Sequence, residues 1–500
     1  MQTLRKQTIL SSIFMIMGFM FGGITILLYT KYGVLTKEEV GLTKIIIDFS
    51  QLAVAFSSLG LLPVLYKFHP YYNDNLPKNK NELLTIVFMG CLIGFSIFCA
   101  VGYFIKPIFV RKYSGNSPLV VDYYPYLFVF AFGMLLFSVF ESLSFVRHRS
   151  IVSNFLKETA LRLMTVLLLV VFYFLKQTQS MSFDTFISLY SMQMLLIFFI
   201  LFFYLKQKGE IHFHFKIGIV TKRFWKKMLS MQSLLYSSLL ITTLATVIDA
   251  FVLGAKKGGA TVGDFTIAQY GANLVSVPQK AIIGGSIGIL TIAWKNKNFL
   301  EINRIYSRSC INLSLMVLFL FGNIWLNAIP LIDFLKIDPT WKLGMNTMFF
   351  ICVARVIDAS TGVNNLILGT STYWRFDYIT GIILLAIRVP TSFYFIDKFG
   401  LIGSAYSDIL SMLIYNFIRY EYLRRKFNMQ PFTYKNLLAI LLAILAYYIA
   451  FYSCFSFSGF MGIALRGFIF STVMIVGIFA FKLTPDAKQL WDRWALKIRN

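Results

Sequence analysis

KQKGEIHFHFKIGIVTKRFWKKM, Lys206 to Met228, is the longest connection between apolar runs on its side of this chain, and it sets seven Lys and Arg beside a single Glu. Six apolar runs precede it and eight follow. Each is about 20 residues long, enough to cross a hydrocarbon core of roughly 30 Å as a helix. With 57% hydrophobic residues, 17% aromatic, 14% charged and 52 phenylalanines, the chain is too apolar to form one soluble core with a wet surface. The expectation is an all-α polytopic membrane protein. Its spans are placed near 9–28, 45–66, 83–105, 124–146, 159–175, 184–205, 229–253, 265–293, 309–331, 343–368, 377–396, 400–420, 435–452 and 459–481.

Read outward from the basic segment, the chain divides into an N-lobe of spans 1–6 (1–205), a basic cytoplasmic linker (206–228), a C-lobe of spans 7–12 (229–422), and spans 13–14 with a basic tail (423–500). Fourteen transmembrane helices, in two pseudo-symmetric six-helix lobes plus two C-terminal helices, would then surround a central cavity. The first span follows Arg5 and Lys6 as a secretory signal does, but it is too long for a signal core and lacks an Ala-x-Ala site, so it reads as retained.

Lys and Arg set the orientation. Segments on the side of the N-terminus and of 206–228 hold more than twice as many as the loops opposite, which places both termini in the cytoplasm of a bacterial inner membrane. The net charge of +25 follows from this topology and from contact with anionic membrane lipids, without nucleic acid. Cys91, Cys99, Cys310, Cys352 and Cys454 lie in or beside apolar spans as small hydrophobes, so neither a disulfide framework nor a metal site is expected. His212 and His214 alternate with Phe in the linker and read as interfacial loop. The outer loops are short and leave no room for a separate catalytic domain, so no catalytic residue and no enzymatic activity is expected.

Polar residues inside the spans carry the functional reading. Span 8 holds Gln269, Asn273, Ser276 and Lys280 at spacings of 4, 3 and 4, one face of a helix. Span 2, its counterpart in a repeat, holds Asp48, Gln51 and Ser58, again on one face. Helix-to-helix hydrogen bonding and a shared aqueous cavity both account for such stripes. Repeated halves around a midplane cavity are a plan of secondary transporters.

Several segments carry a family resemblance. FYFIDKFGLIGSAYSDIL (Phe393–Leu410) is similar to the join of spans 11 and 12 in the Wzx-type polysaccharide flippases of the MOP superfamily. VIDAFVLGAKKGGATVGDFTIAQYGANLVSVP (Val247–Pro278) resembles their join of spans 7 and 8, NNLILGTSTYWR (Asn364–Arg375) their span 10 exit, and YGVLTKEEVGL (Tyr32–Leu42) their first outer loop. The chain departs from the pattern at Ala250, where a basic residue often follows the span 7 Asp, and at Phe265, where Tyr is usual. Span 1 lacks the Arg found in lipid II flippases of the superfamily.

The resemblance implies a carrier that moves a polyprenyl-diphosphate-linked oligosaccharide from the cytoplasmic to the outer leaflet by alternating access, in O-antigen or other surface polysaccharide biosynthesis. Glycosyltransferases or a polymerase of the same pathway would be its partners, and spans 13 and 14 would form an opening for the lipid tail. Such a head group cannot cross hydrocarbon unaided, because its charges and hydroxyls would lose water without replacement. Cations can hold the diphosphate and amides the sugar.

Arg388 lies deep in span 11, where an unpaired Arg costs roughly 2.5–3.5 kcal/mol on insertion scales, so it is expected to meet substrate phosphate or a structural partner. Arg355 and Asp358, one turn apart in FICVARVIDASTGVNNLILG (Phe350–Gly369), either neutralise each other or divide the work, Arg355 on phosphate and Asp358 as its restraint. The substrate-binding expectation is Arg388, Arg355, Lys280, Gln269, Asn273, Ser276 and Gln51. No cofactor is expected; a coupling proton or sodium ion would use Asp358, Asp48, Asp249, Glu141 or Asp408. Arg162 pairs with Glu158 at the interface, while Arg419 and Arg466 are expected to snorkel from helix ends. Competing readings are a multidrug exporter or lipid II flippase of the same superfamily and, more remotely, a polysaccharide polymerase or acyltransferase.

Overall fold

Hydropathy marks where a helix meets hydrocarbon, not where its hydrogen bonds end, and several helices, among them Leu83–Tyr113, Ile219–Lys256 and Phe299–Phe334, overrun the predicted spans accordingly. The computed structural model describes residues 2–77, 80–147 and 149–486, among which every regular element is helical. Twelve of these helices are long and apolar enough to cross a membrane, thirteen when one bent pair is taken as a single span. The chain is a multi-pass, all-helical membrane protein. The first predicted span falls on a helix of 29 residues, Gln2–Thr30.

Two compact units divide at Gly263/Asp264. Unit 1 contains α1 (Gln2–Thr30), α2 (Lys37–Ser57), α3 (Leu61–Asn75), α4 (Leu83–Tyr113), α5 (Pro118–Asp122), α6 (Tyr124–Val146), α7 (Ser150–Asn154), α8 (Leu161–Gln177), α9 (Phe183–Gln207) and α10 (Ile219–Lys256). A π-helical turn, Phe155–Ala160, runs α7 into α8. α2 is the most enclosed span, packed by α6, α4 and α10, with Val40, Leu42, Ile45 and Ile46 fully buried.

The linker is shorter than the sequence reading makes it. Irregular chain runs only from Lys208 to Gly218, because Val220 to Met228 already belong to α10. That helix, assigned from the linker to the second half, packs on α2, α3 and α4 and closes unit 1.

α11 (Gly259–Val275) bridges the division, and unit 2 continues with α12 (Val277–Lys295), α13 (Phe299–Phe334), α14 (Met345–Ser360), α15 (Asn364–Thr370), α16 (Trp374–Phe399), α17 (Leu401–Phe427), α18 (Tyr434–Ser453) and α19 (Gly459–Ala480). α17 packs on α16 and α14, while α13, α18 and α19 close around Phe470, Met474, Leu442 and Ala446.

Three predicted spans prove discontinuous, the first of them span 2, which stops at Ser57 and restarts at Leu61 through Gly60, φ +71°. Predicted span 8 is α11 plus α12, bent by 48° at Ser276, where Pro278 removes the donor to Leu274 and its ring crowds that carbonyl. Predicted span 10 stops at Ser360 and restarts at Asn364 through Gly362, whose φ of +71° favours glycine. A Cβ there would lie 2.6 Å from Ser309 Oγ and 2.7 Å from Cys310 Sγ, so close packing imposes the same choice.

A candidate anion site in unit 2

α16 and α17 are joined at Gly400 (φ +64°) and lie against each other along a row of small residues. Gly403, Ser404, Ser407 and Ser411 of α17 are buried, and a Cβ on Gly403 would stand 2.1 Å from Phe395 O. Small residues at this spacing let two backbones approach, as is usual between membrane helices. Hydroxyls fill the seam, with Ser407 at 2.8 Å from Thr391 and 2.9 Å from Ser392.

That approach sets Asp408 opposite Arg388, whose Nη1 donates to Oδ1 of the carboxylate. From α14, Arg355 Nη2 lies 3.4 Å from the other oxygen of Asp408. The side chains of Arg388 and Asp408 are 6% and 3% exposed and that of Arg355 is 19%, so Arg355 is the most open of the three. Two guanidiniums thus meet one carboxylate inside a membrane-spanning bundle, where ionised groups persist only against a partner or water.

Arg355 and Asp358 do not pair. Asp358 accepts from Gln279 Nε2 at 2.9 Å and Asn416 Nδ2 at 3.0 Å. Asn416 Oδ1 in turn accepts from Thr361 Oγ1 at 2.8 Å and Asn364 Nδ2 at 3.0 Å. Both alternatives read from the sequence place these neighbours on a shared task; the structure gives each its own partner on α17, Asp408 for Arg355 and Asn416 for Asp358. The amide cluster ties together α12, α14, α15 and α17.

Other expected residues lie apart. Ser276 is buried at the bend and Lys280 is exposed on α12, while Gln269 and Asn273 are half-buried on α11. The bend breaks the continuous face that a straight helix would give them. Gln51, Asp48, Asp249 and Glu141 belong to unit 1. Asp48 accepts from Lys44 at 2.7 Å, its Oδ2 has no hydrogen-bond partner, and Ser58 is buried and turned back to Ala55 O, so two of the three residues of the span 2 stripe are dry. Asp249 is buried on the neighbouring α10. Glu141 is held by Lys157 at 3.0 and 3.1 Å.

Arg419 corrects the sequence reading. It is 3% exposed, donates to Asp377 and, at 3.1 Å, to Thr380 Oγ1, and lies 3.8 Å over the ring of Tyr415. α17 continues to Phe427, seven residues beyond the predicted end, so Arg419 is not terminal and cannot snorkel. Arg466 donates to Phe457 O at 2.8 Å and Cys454 O at 3.2 Å, and Arg162 meets Glu158 at 3.1 Å.

Sequence reasoning missed Gln279, Asn416, Asn364, Asp377 and Thr380. A signal for Asn416 was present, since Asp408, Met412 and Asn416 recur every four residues on one side of span 12. An apolar groove of about 540 Å³ also opens between α13, α14 and α18, lined by Leu318, Trp325, Phe349, Val356, Ala443 and Tyr447.

Comparison with known proteins places these features. Residues 4–287 match the model of a family described as polysaccharide biosynthesis protein. Among solved structures, the lipid II flippase MurJ in an inward closed conformation is similar at 14% identity, covering 95% of this chain and 98% of that one, with a TM-score of 0.71. An inward-facing multidrug resistance MATE transporter of the MOP superfamily is similar at 13% identity, 82% and 94% coverage and a TM-score of 0.64. A MOP superfamily transporter from Pyrococcus furiosus, described as having a binding pocket of reverse polarity, is similar at 12% identity, 83% and 94% coverage and a TM-score of 0.53. At these identities the likeness is one of fold. No curated protein matches the chain.

Proposed function

The chain belongs to the polysaccharide biosynthesis protein family, and from that premise we propose that it is a flippase carrying a polyprenyl-diphosphate-linked oligosaccharide from the cytoplasmic to the outer leaflet of a bacterial inner membrane. Both termini lie in the cytoplasm in this reading, and access alternates between the two faces. The observation that carries it is the Arg355–Asp408–Arg388 cluster. A diphosphate presents two or more negative charges with oxygens spaced for guanidinium forks. Arg355, the more open guanidinium, exchanges its distant contact with Asp408 for the cargo phosphate, while Arg388 keeps Asp408 in place.

The polyprenyl chain stays in hydrocarbon, and the groove between α13, α14 and α18 supports a place for it: its walls are aromatic and aliphatic, and α14 is also the helix that carries Arg355. Amides near Asp358 suit sugar hydroxyls. A proton or sodium ion resetting the empty carrier would use an acidic residue, and Asp48, with one oxygen lacking a hydrogen-bond partner, is the first candidate. Glycosyltransferases or a polymerase would supply and consume the cargo.

The test is a reconstituted protein in vesicles holding a fluorescent lipid-linked oligosaccharide, with head-group accessibility read at the outer face. Arg355→Gln should lower the transfer rate at least about tenfold, as expected for loss of a charge-assisted contact worth roughly 1.5–3 kcal/mol. Unchanged transfer in Arg355→Gln would remove the site from the pathway. The likeness to a lipid II flippase makes lipid II the second cargo for the same assay, since it presents the same diphosphate, and preference between the two cargoes reads the sugar specificity directly.

A further inference from the structure

The connector between α9 and α10 is an irregular strip with a packed part and an exposed part. From Glu210 to Gly218 it has no helical turns, and Phe215, Lys216 and Ile217 are exposed in succession. His212 and His214 are half-buried toward unit 1, and the His214 N–H donates to Thr85 Oγ1 at 2.9 Å. Phe213 lays its ring against Phe88 of α4 with centroids 5.4 Å apart, whereas Phe215 and Ile217 are 76% and 62% exposed. α10 continues the division. Thr221, Phe224 and Met228 face unit 1, Phe224 against Tyr71 with ring centroids 5.4 Å apart, whereas Lys222, Arg223, Trp225, Lys226 and Lys227 are exposed.

The strip is fixed in place. Glu82, 2% exposed, accepts from the Gly218 N–H at 3.0 Å and from Thr221 Oγ1 at 2.8 Å, and Tyr72 Oη lies 2.6 Å from the same threonine hydroxyl. The carboxylate thus caps the start of α10, where Gly218 has no side chain to do so. A Cβ on Gly218 would come 2.7 Å from Glu82 Oε1. The acid within the strip, Glu210, is engaged by Arg149 at 3.2 Å, so the outward cations keep their charge for another surface.

We infer that this outward face is a lipid-reading element, with Phe215, Ile217 and Trp225 seated at the head-group boundary of an anionic leaflet and Lys216, Lys222, Arg223, Lys226 and Lys227 on its phosphates. Large apolar side chains held open beside clustered cations suit the membrane–water interface better than either phase alone. The connector joins two apolar spans, α9 and α10, which puts it at that boundary. Anionic glycerophospholipid is the ligand, and the contact is separate from the cargo site in unit 2.

Hydrogen–deuterium exchange of the full-length protein tests this without any transport measurement. The protein is compared in phosphatidylcholine vesicles, in vesicles that also contain phosphatidylglycerol, and in detergent. Amides of 213–217 should exchange more slowly with phosphatidylglycerol present, and each Lys→Gln or Arg→Gln change among the five cations should reduce that protection about fivefold, the Boltzmann factor for the attraction of one cation to an anionic surface. A thermal transition unchanged by these surface substitutions certifies the fold. Equal exchange in both vesicle types overturns the inference, and so does protection that arises only on adding a soluble partner such as a glycosyltransferase.

Discussion

Asp408 receives both Arg388 and Arg355 in a buried seam, whereas Asp358 receives only neutral amides. These two acids therefore differ in what their removal leaves behind. Asp408→Asn takes the shared carboxylate from two guanidiniums, at a cost of about 3–5 kcal/mol. Asp358→Asn leaves amide partners that can turn to meet a new amide, at about 1–3 kcal/mol. Thermal unfolding of the purified variants should show the larger drop for Asp408→Asn, and equal drops would remove the charge cluster from the stability of unit 2. Arg388 was legible in the sequence as a cation too deep to stand alone, because its position in a 20-residue apolar run fixes its depth. Its partner was not, since Asp408, twenty residues on, becomes a neighbour only when α16 and α17 fold back on each other.

At the scale of helices, close packing depends on glycine at a few crossings. α2 and the start of α11 meet at Gly41, Gly259 and Gly263, where a Cβ on Gly41 would fall 2.0 Å from Gly259 O and one on Gly263 would fall 2.2 Å from Lys37 O. The Gly259–x–x–x–Gly263 spacing is the small-residue motif of membrane helix pairs. Gly288, on α12, has nothing within 4 Å of its Cβ position. Gly263→Ala should therefore lower the unfolding temperature while Gly288→Ala leaves it level or raises it slightly, by helix propensity worth at most about 1 kcal/mol. If both substitutions were equally harmless, the crossing would not be as tight as described. The existence of the spans followed from composition. Their breaks at Ser276 and Gly362 did not, although Pro278 and Gly362 stood in plain view, because an apolar run with one proline or glycine is often a continuous membrane helix.

Over the whole molecule, the proposed cargo brings voltage into play. With the cytoplasm about 100 mV negative, each elementary charge crossing the field is worth about 2.3 kcal/mol, so a diphosphate moving outward gains roughly twice that. Collapsing the potential in vesicles should slow export, and turnover indifferent to voltage would require the protein to carry compensating charge with the cargo. The division into two units falls at Gly263 rather than at the basic connector, because α10 packs backward onto α2, α3 and α4. By itself the amino-acid sequence determined that this is an all-helical, multi-pass membrane protein with charges placed inside its spans, since hydropathy and run length are local quantities that the bilayer reads directly. Which charges meet, where helices break and which unit each helix joins were decided only by tertiary structure. Those outcomes depend on contacts between residues far apart in the chain, and the periodicity of a single helix carries no information about its neighbour.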